Sequence, residues 1–159
     1  MKIKYLLIII CIFGSSLTYA QSNTFKGLFE KYEHEDDVTV VNISKAMFKL
    51  IPGNVNVSTG NVDIKNIIPK IESLLIITSG KNNIKEKMYS EFKNVAGKDK
   101  NFEELMRIKD GKSNVTFNAK KSGDIIKELV MLVHNEDNFV AIQILGNFTL
   151  EDIQKITSK

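Results

Sequence analysis

Tryptophan is missing from this sequence, and among 159 residues there are one cysteine, two histidines and two prolines. Each scarcity closes a class of function. A single cysteine, Cys11, cannot form an intrachain disulfide, and it lies inside an apolar run rather than among metal-ligating neighbours. Without tryptophan, large aromatic binding platforms are disfavoured. Nucleophilic catalysis needs a serine, threonine or cysteine beside a base and an orienting group, yet there is no G-x-S-x-G elbow and only His34 and His134 offer the usual base. Gly80-Lys81 lacks the upstream glycine and the following Ser or Thr of a phosphate-binding loop. No proline- or glycine-rich linker divides the chain.

The N-terminus carries the strongest local signal. Lys2 and Lys4 precede an unbroken apolar stretch from Leu6 to Phe13, then Gly14-Ser15-Ser16, then Thr18-Tyr19-Ala20 with small residues one and three before a cut. This is the layout of a secretory signal peptide cleaved between Ala20 and Gln21, and its apolar core is too short to span a bilayer. Lipid attachment at Cys11 is disfavoured, because isoleucine precedes it and it lies within the apolar core. Removing residues 1–20 takes away Lys2 and Lys4, so the 22 basic residues fall to 20 against 19 acidic ones. A nearly balanced chain lacks the basic excess that nucleic-acid capture requires. The expected product, residues 21–159, is one exported, cysteine-free domain that must rely on an ordinary apolar core.

Periodicity supplies the fold expectation. Phe25, Leu28, Phe29 and Tyr32 form one helical stripe, and VTVVNIS reads as a strand. A short helix KAMFKLI ends at Pro52-Gly53. Ile64, Ile67, Ile68 and Ile71 repeat helical spacing across Pro69, SLLIITS is a short strand, and Asn83–Val95 is a helix. Asp110-Gly111 is a hairpin signal. A two-residue turn there pairs Lys109 with Lys112, Arg107 with Asn114 and Leu105 with Thr116. It points Val115, Phe117 and Ala119 inward and Asn114, Thr116, Asn118 and Lys120 outward. A four-residue loop at Asn135–Asn138 pairs Val133 with Val140, Met131 with Ile142 and Leu129 with Ile144. That wholly aliphatic face is expected at the centre of the core. Its reverse, with Val130, Leu132, Phe139, Ala141 and Leu145, is too apolar to stay wet and calls for a terminal helix or a second subunit. Thr149 and Asp152 have capping-box spacing before a last helix. The expectation is an α+β, two-layer domain: a largely antiparallel sheet of about six strands, with a C-terminal four-strand meander and helices packed on it.

Candidate sites are few. Glu33, His34, Glu35, Asp36 and Asp37 could offer metal ligands, but adjacent residues seldom converge on one ion and calcium-loop spacing is missing, so a solvated linker is favoured. His134 with Asn135, Glu136 and Asp137 reads as a hairpin tip. The Asn-x-Ser/Thr sites at Asn42, Asn56, Asn114 and Asn147 fit chance in an asparagine-rich chain. The outward hairpin face gathers Arg107, Lys109, Lys112 and Lys120 with Asn114, a patch suited to an acidic glycan, a lipid headgroup phosphate or an acidic envelope protein. The plainer reading, a solvated face balanced by Glu103, is favoured. No catalytic, cofactor or metal residue is assigned. The leading function is a non-enzymatic envelope binding or interaction module, with a small hydrolase or a carrier of an apolar ligand as alternatives. Homodimerisation is compatible with the apolar sheet.

FEKYEHEDDVTVVNISKAMFKLIP, ELMRIKDGKSNVTFNAKK, IIKELVMLV and ILGNFTLEDIQKI together resemble the Gram-negative secreted family catalogued as domain of unknown function 4252. The resemblance runs from about Phe25 to Ile156. It implies a periplasmic or outer-envelope setting, and it carries over no activity, cofactor or catalytic residue. Some members look lipid-modified at a leader cysteine, a pattern from which Ile10-Cys11 departs.

Overall fold

In the computed structural model the described residues are 24–50 and 67–152. The leader, Cys11, the Ala20/Gln21 junction, Asn56 and Ile64 lie outside them. The described chain forms helix α1 (Phe25–Tyr32), strand β1 (Thr39–Ser44), helix α2 (Lys45–Leu50), a 3-10 turn (Ile68–Lys70), strand β2 (Ile71–Ser79) and helix α3 (Asn82–Lys98). Strands β3 (Phe102–Asp110), β4 (Ser113–Ser122), β5 (Ile125–His134) and β6 (Phe139–Phe148) follow. All six strands join one sheet in the order β1-β2-β6-β5-β4-β3, and every neighbouring pair is antiparallel. This is the α+β architecture the patterning implies.

Local chemistry explains several elements. Thr24 caps α1, its side-chain oxygen accepting from the Gly27 amide at 3.1 Å, and the expected stripe of Phe25, Leu28, Phe29 and Tyr32 is buried. The terminal capping box forms as spaced: the Thr149 amide donates to Asp152 Oδ2 at 2.8 Å, and the Asp152 amide donates to Thr149 Oγ1 at 3.2 Å. Asn135 closes the β5–β6 loop by accepting from the Asp137 and Asn138 amides. The β5–β6 register is the expected one, with Val133 opposite Val140, Met131 opposite Ile142 and Leu129 opposite Ile144.

Three expectations are corrected. First, the β3–β4 hairpin pairs Asp110 with Ser113, Lys109 with Asn114 and Arg107 with Thr116, so its turn is Gly111-Lys112 rather than Asp110-Gly111. Gly111 takes φ +54, which suits the first central position of a type II′ turn, where glycine is preferred. The β4–β5 turn repeats the device with Gly123 at φ +61 between paired Ser122 and Ile125. A bulge between Glu104 and Met106 then moves Glu104, not Glu103, onto the side of Arg107. Second, the isoleucine run does not continue as a helix: Ile68–Lys70 is a single 3-10 turn with Pro69 near its start, and Ile71 opens β2.

The third correction concerns which face is the core. Helices α1 and α3 pack on the side of Ile77, Val130, Leu132, Phe139 and Ala141, all of which are essentially inaccessible. Phe92 lies at its centre, meeting Phe29 nearly edge-on at 5.6 Å and Phe139 at 5.4 Å. The face expected as core centre is therefore the opposite one, and it is only half-buried. Asn114, Thr116, Asn118 and Lys120 consequently belong to the helix side, while Val115 and Phe117 share the half-buried side.

The topology supplies the reason. Strands β2 and β3 run in the same direction with three strands between them, so α3 is a crossover. Its 17 residues span about 25 Å at roughly 1.5 Å per residue, enough to pass over strands about 4.8 Å apart. Crossovers between parallel strands of one sheet take a right-handed sense, so strand order fixes the face that receives the helix.

Candidate functional site

The half-buried face is the most unusual surface among the described residues. Two adjacent rows cross all six strands. One runs Ile108, Val115, Val133, Val140, Thr78 and Thr39; the other runs Met106, Phe117, Met131, Ile142, Ile76 and Val41. Neither row contains a charged residue, and the two threonines are the only polar positions. None of the twelve side chains is buried: Met106 and Ile108 are 46% exposed and Val41 40%. At the other end of the same face, Phe48 of α2, Ile67, Ile71, Ala119, Ile126 and Phe148 form a second, closed cluster. Coverage by described residues thus stops partway along the strands.

The basic residues singled out by sequence are distributed differently from expectation. Arg107 donates through Nε to Glu104 Oε1 at 2.9 Å and through Nη2 to the second carboxylate oxygen. This pairing holds the Glu104 carboxyl below its ordinary range and raises the guanidinium further. Lys112, in the turn, is paired with Glu136 of the β5–β6 loop. Lys120 lies 3.9 Å from Asp99 and over the Phe102 ring. Glu103, expected to balance Arg107, pairs instead with Lys121. Lys109 stands opposite Asn114 in the ladder. Matched cations of this kind make a weak anion receptor.

Arg107 and Asn114 do border a cleft of about 300 Å³ between α3 and the β3–β4 hairpin, lined also by Tyr89, Lys93, Phe102 and Asn118. Beside it, the His134 ring stacks on Tyr89 at 4.1 Å, and Nε2 lies 3.0 Å from Glu86 Oε1. His134 Nδ1 and Gln143 Oε1 are buried without a hydrogen-bond partner among the described residues. Gln143 spends its amide nitrogen on Glu128, whose carboxyl is pushed up by burial and drawn back down by that bond. No nucleophile with an oriented base is assembled here.

Glu33 to Asp37 form an exposed turn between α1 and β1, and no grouping of His, Cys, Asp or Glu suited to a metal occurs among the described residues. Asp37, at φ 66, is paired with Lys81, which gives the last residue of the acidic run and the lysine of Gly80-Lys81 a structural contact. No hydrogen bond, ion pair or ring contact among the described residues joins His34 to His134. No described helix is long and apolar enough to cross a membrane.

Sequence reasoning missed the open face because it assigned that face to the core. The available signal was that both sides of β5 and β6 are apolar, which demands two covers. Among the described elements α1 and α3 cover one face, while α2 and the 3-10 turn meet only one end of the other.

Comparison with curated proteins found no match, and comparison with solved structures found none. The family model described as domain of unknown function DUF4252 matches residues 32–156, from the end of α1 through the meander and past the capping box. With most of its length accounted for in this way, the chain belongs to the DUF4252 family.

Proposed function

We propose that this protein is a non-enzymatic interaction module exported to the cell envelope, and that it binds a macromolecular partner through the open aliphatic face of its sheet. The observation that carries the reading is the two-row, charge-free field running from Val41 to Met106 and Ile108 across all six strands. Apolar surface left partly accessible over this breadth, with exposed residues at both edges, supports an interaction site. A carrier of a small apolar ligand would need a concave apolar pocket. Three clefts among the described residues border α3 instead, and each mixes charged and polar side chains with apolar ones rather than enclosing an apolar pocket. The leader pattern before Gln21 supports the envelope setting.

The test is photocrosslinking in cells from a reactive residue placed at Ile108, with Lys87 on the exposed surface of α3 as control. A macromolecular adduct from position 108 and none from position 87 supports the reading. No adduct from position 108, or recovery of the chain from the cytoplasm with its leader intact, overturns it.

A further inference from the structure

We infer that the cleft between α3 and the β3–β4 hairpin is a binding site for a small sugar acid, a hydroxylated ring carrying one carboxylate. It lies on the helix side of the sheet, so the inference does not rest on what occupies the open face.

The cleft exists because the helical layer is narrower than the sheet. Helix α3 packs mainly on β6, β5 and β2, so β4 and β3 are flanked by it rather than covered. Where α3 passes these strands it presents Ala96 and Gly97, and a Cβ on Gly97 would meet nothing within 4 Å. The space left is about 300 Å³, at the small end of the range for ligand pockets.

The floor is polar where the adjoining sheet is apolar. Asn114, Thr116 and Asn118 occupy alternate positions of β4. Thr116 stands opposite Leu132 and Asn118 opposite Val130, both buried core residues of β5. Aliphatic residues on this floor would simply extend that core. Asn118 is 6% exposed, yet its side chain makes one hydrogen bond among the described residues, from Nδ2 to Thr116 Oγ1 at 3.5 Å. The usual N–H···O separation is about 2.9 Å. A buried amide so weakly partnered destabilises the fold, and a ligand that both donates and accepts hydrogen bonds offsets the loss.

Charge narrows the ligand class. Arg107 and Glu104 neutralise each other on the β3 wall. Lys93, on the α3 wall, has no ion pair among the described residues, and its ammonium lies 5.6 Å from the centre of the Tyr89 ring. One uncompensated cation suits one carboxylate. A bare carboxylate only accepts hydrogen bonds and leaves the amide carbonyls of the floor without donors, whereas hydroxyl groups serve both kinds of partner. An amino-acid zwitterion brings no net charge to Lys93.

The experiment follows the side-chain amide signals of Asn114 and Asn118 by NMR while the folded chain is titrated with glucuronate, glucose, glutamine or acetate. Glucuronate should shift both signals with a Kd below about 1 mM, and each of the other three should bind at least about tenfold more weakly. Lys93→Met, on the exposed surface of α3, should abolish the advantage of glucuronate over glucose. Asn118→Leu and, at a less buried floor position, Asn114→Ala should each weaken glucuronate binding at least about tenfold. No shift at about 20 mM glucuronate overturns the inference, as does glucose, glutamine or acetate binding equally well. A preference for glucuronate that survives Lys93→Met also overturns it.

Discussion

Leu132 and Val133 are adjacent in β5 but meet different environments: Leu132 is 2% exposed beneath the helical layer, while Val133 faces the open side and is only half-buried. Their truncations should differ accordingly. Leu132→Ala removes atoms from a filled core and should cost about 2–5 kcal/mol. Val133→Ala removes two methyl groups from a partly hydrated surface and should cost about 1 kcal/mol in the monomer. Denaturant unfolding of the two variants measures the contrast. Equal losses would mean that the open face is as closed as the helix side.

Gly146 and Gly97 make a second pair. A Cβ on Gly146 would lie 2.4 Å from the Lys70 carbonyl oxygen, where β6 passes the 3-10 turn, and backbone cannot yield cheaply. Gly146→Ala should therefore destabilise by about 2 kcal/mol or more. Gly97 lies in α3, and a methyl group added there would meet nothing within 4 Å, so Gly97→Ala should stabilise by about 0.5–1 kcal/mol. Thermal unfolding should move in opposite directions for the two variants.

Lys85 of α3 is buried, and its ammonium group donates to the carbonyl oxygens of Asn135 and Glu136 at the β5–β6 tip. Lys85→Met keeps the aliphatic stem and leaves those acceptors without their cation. A loss of about 1.5–3 kcal/mol is expected, the range for hydrogen bonds to charged groups. Faster amide exchange at residues 135–138, with α1 unaffected, would identify the loop as the place where the loss is felt.

Asp152 gives a pH dependence. Lys70 holds its two carboxylate oxygens at 2.7 Å each, and the Thr149 amide adds a further bond, so the carboxyl falls to about 2. A folded pKa below the unfolded value means that this stabilisation is present above about pH 4 and is lost as pH falls toward 2. Wild type should exceed Asp152→Asn in Tm at neutral pH, and the two curves should converge over that acid window. A gap that persists unchanged at pH 2 would show that the ionised carboxylate is not its source.

Much of this fold was readable locally. The stripe Phe25, Leu28, Phe29, Tyr32 needs only helical spacing to declare its buried side. Thr149 and Asp152 form their box because both partners lie within one turn. The β5–β6 register follows from loop length and strict alternation. The β3–β4 register was misread because Asp-Gly can occupy more than one pair of turn positions, and the Leu105 bulge leaves no mark in hydropathy. The pairs Lys31–Glu91 and Lys70–Asp152 join residues 60 and 82 positions apart, so neither partner signals the other in sequence.

That β5 and β6 are largely apolar on both faces was legible from residue order alone, because alternation in a strand assigns side chains to faces without reference to the rest of the chain. The class, an antiparallel sheet with helices, was legible in the same way. Which face became the core was settled by the packing of distant elements. That choice belongs to the β2–α3–β3 crossover, whose handedness is a property of strand order and chain twist rather than of any residue along it. Once α3 and its aromatic residues lay over Leu132, Phe139 and Ala141, the equally aliphatic face of Met131, Val133 and Ile142 was left without a described helix, and the candidate site is the result.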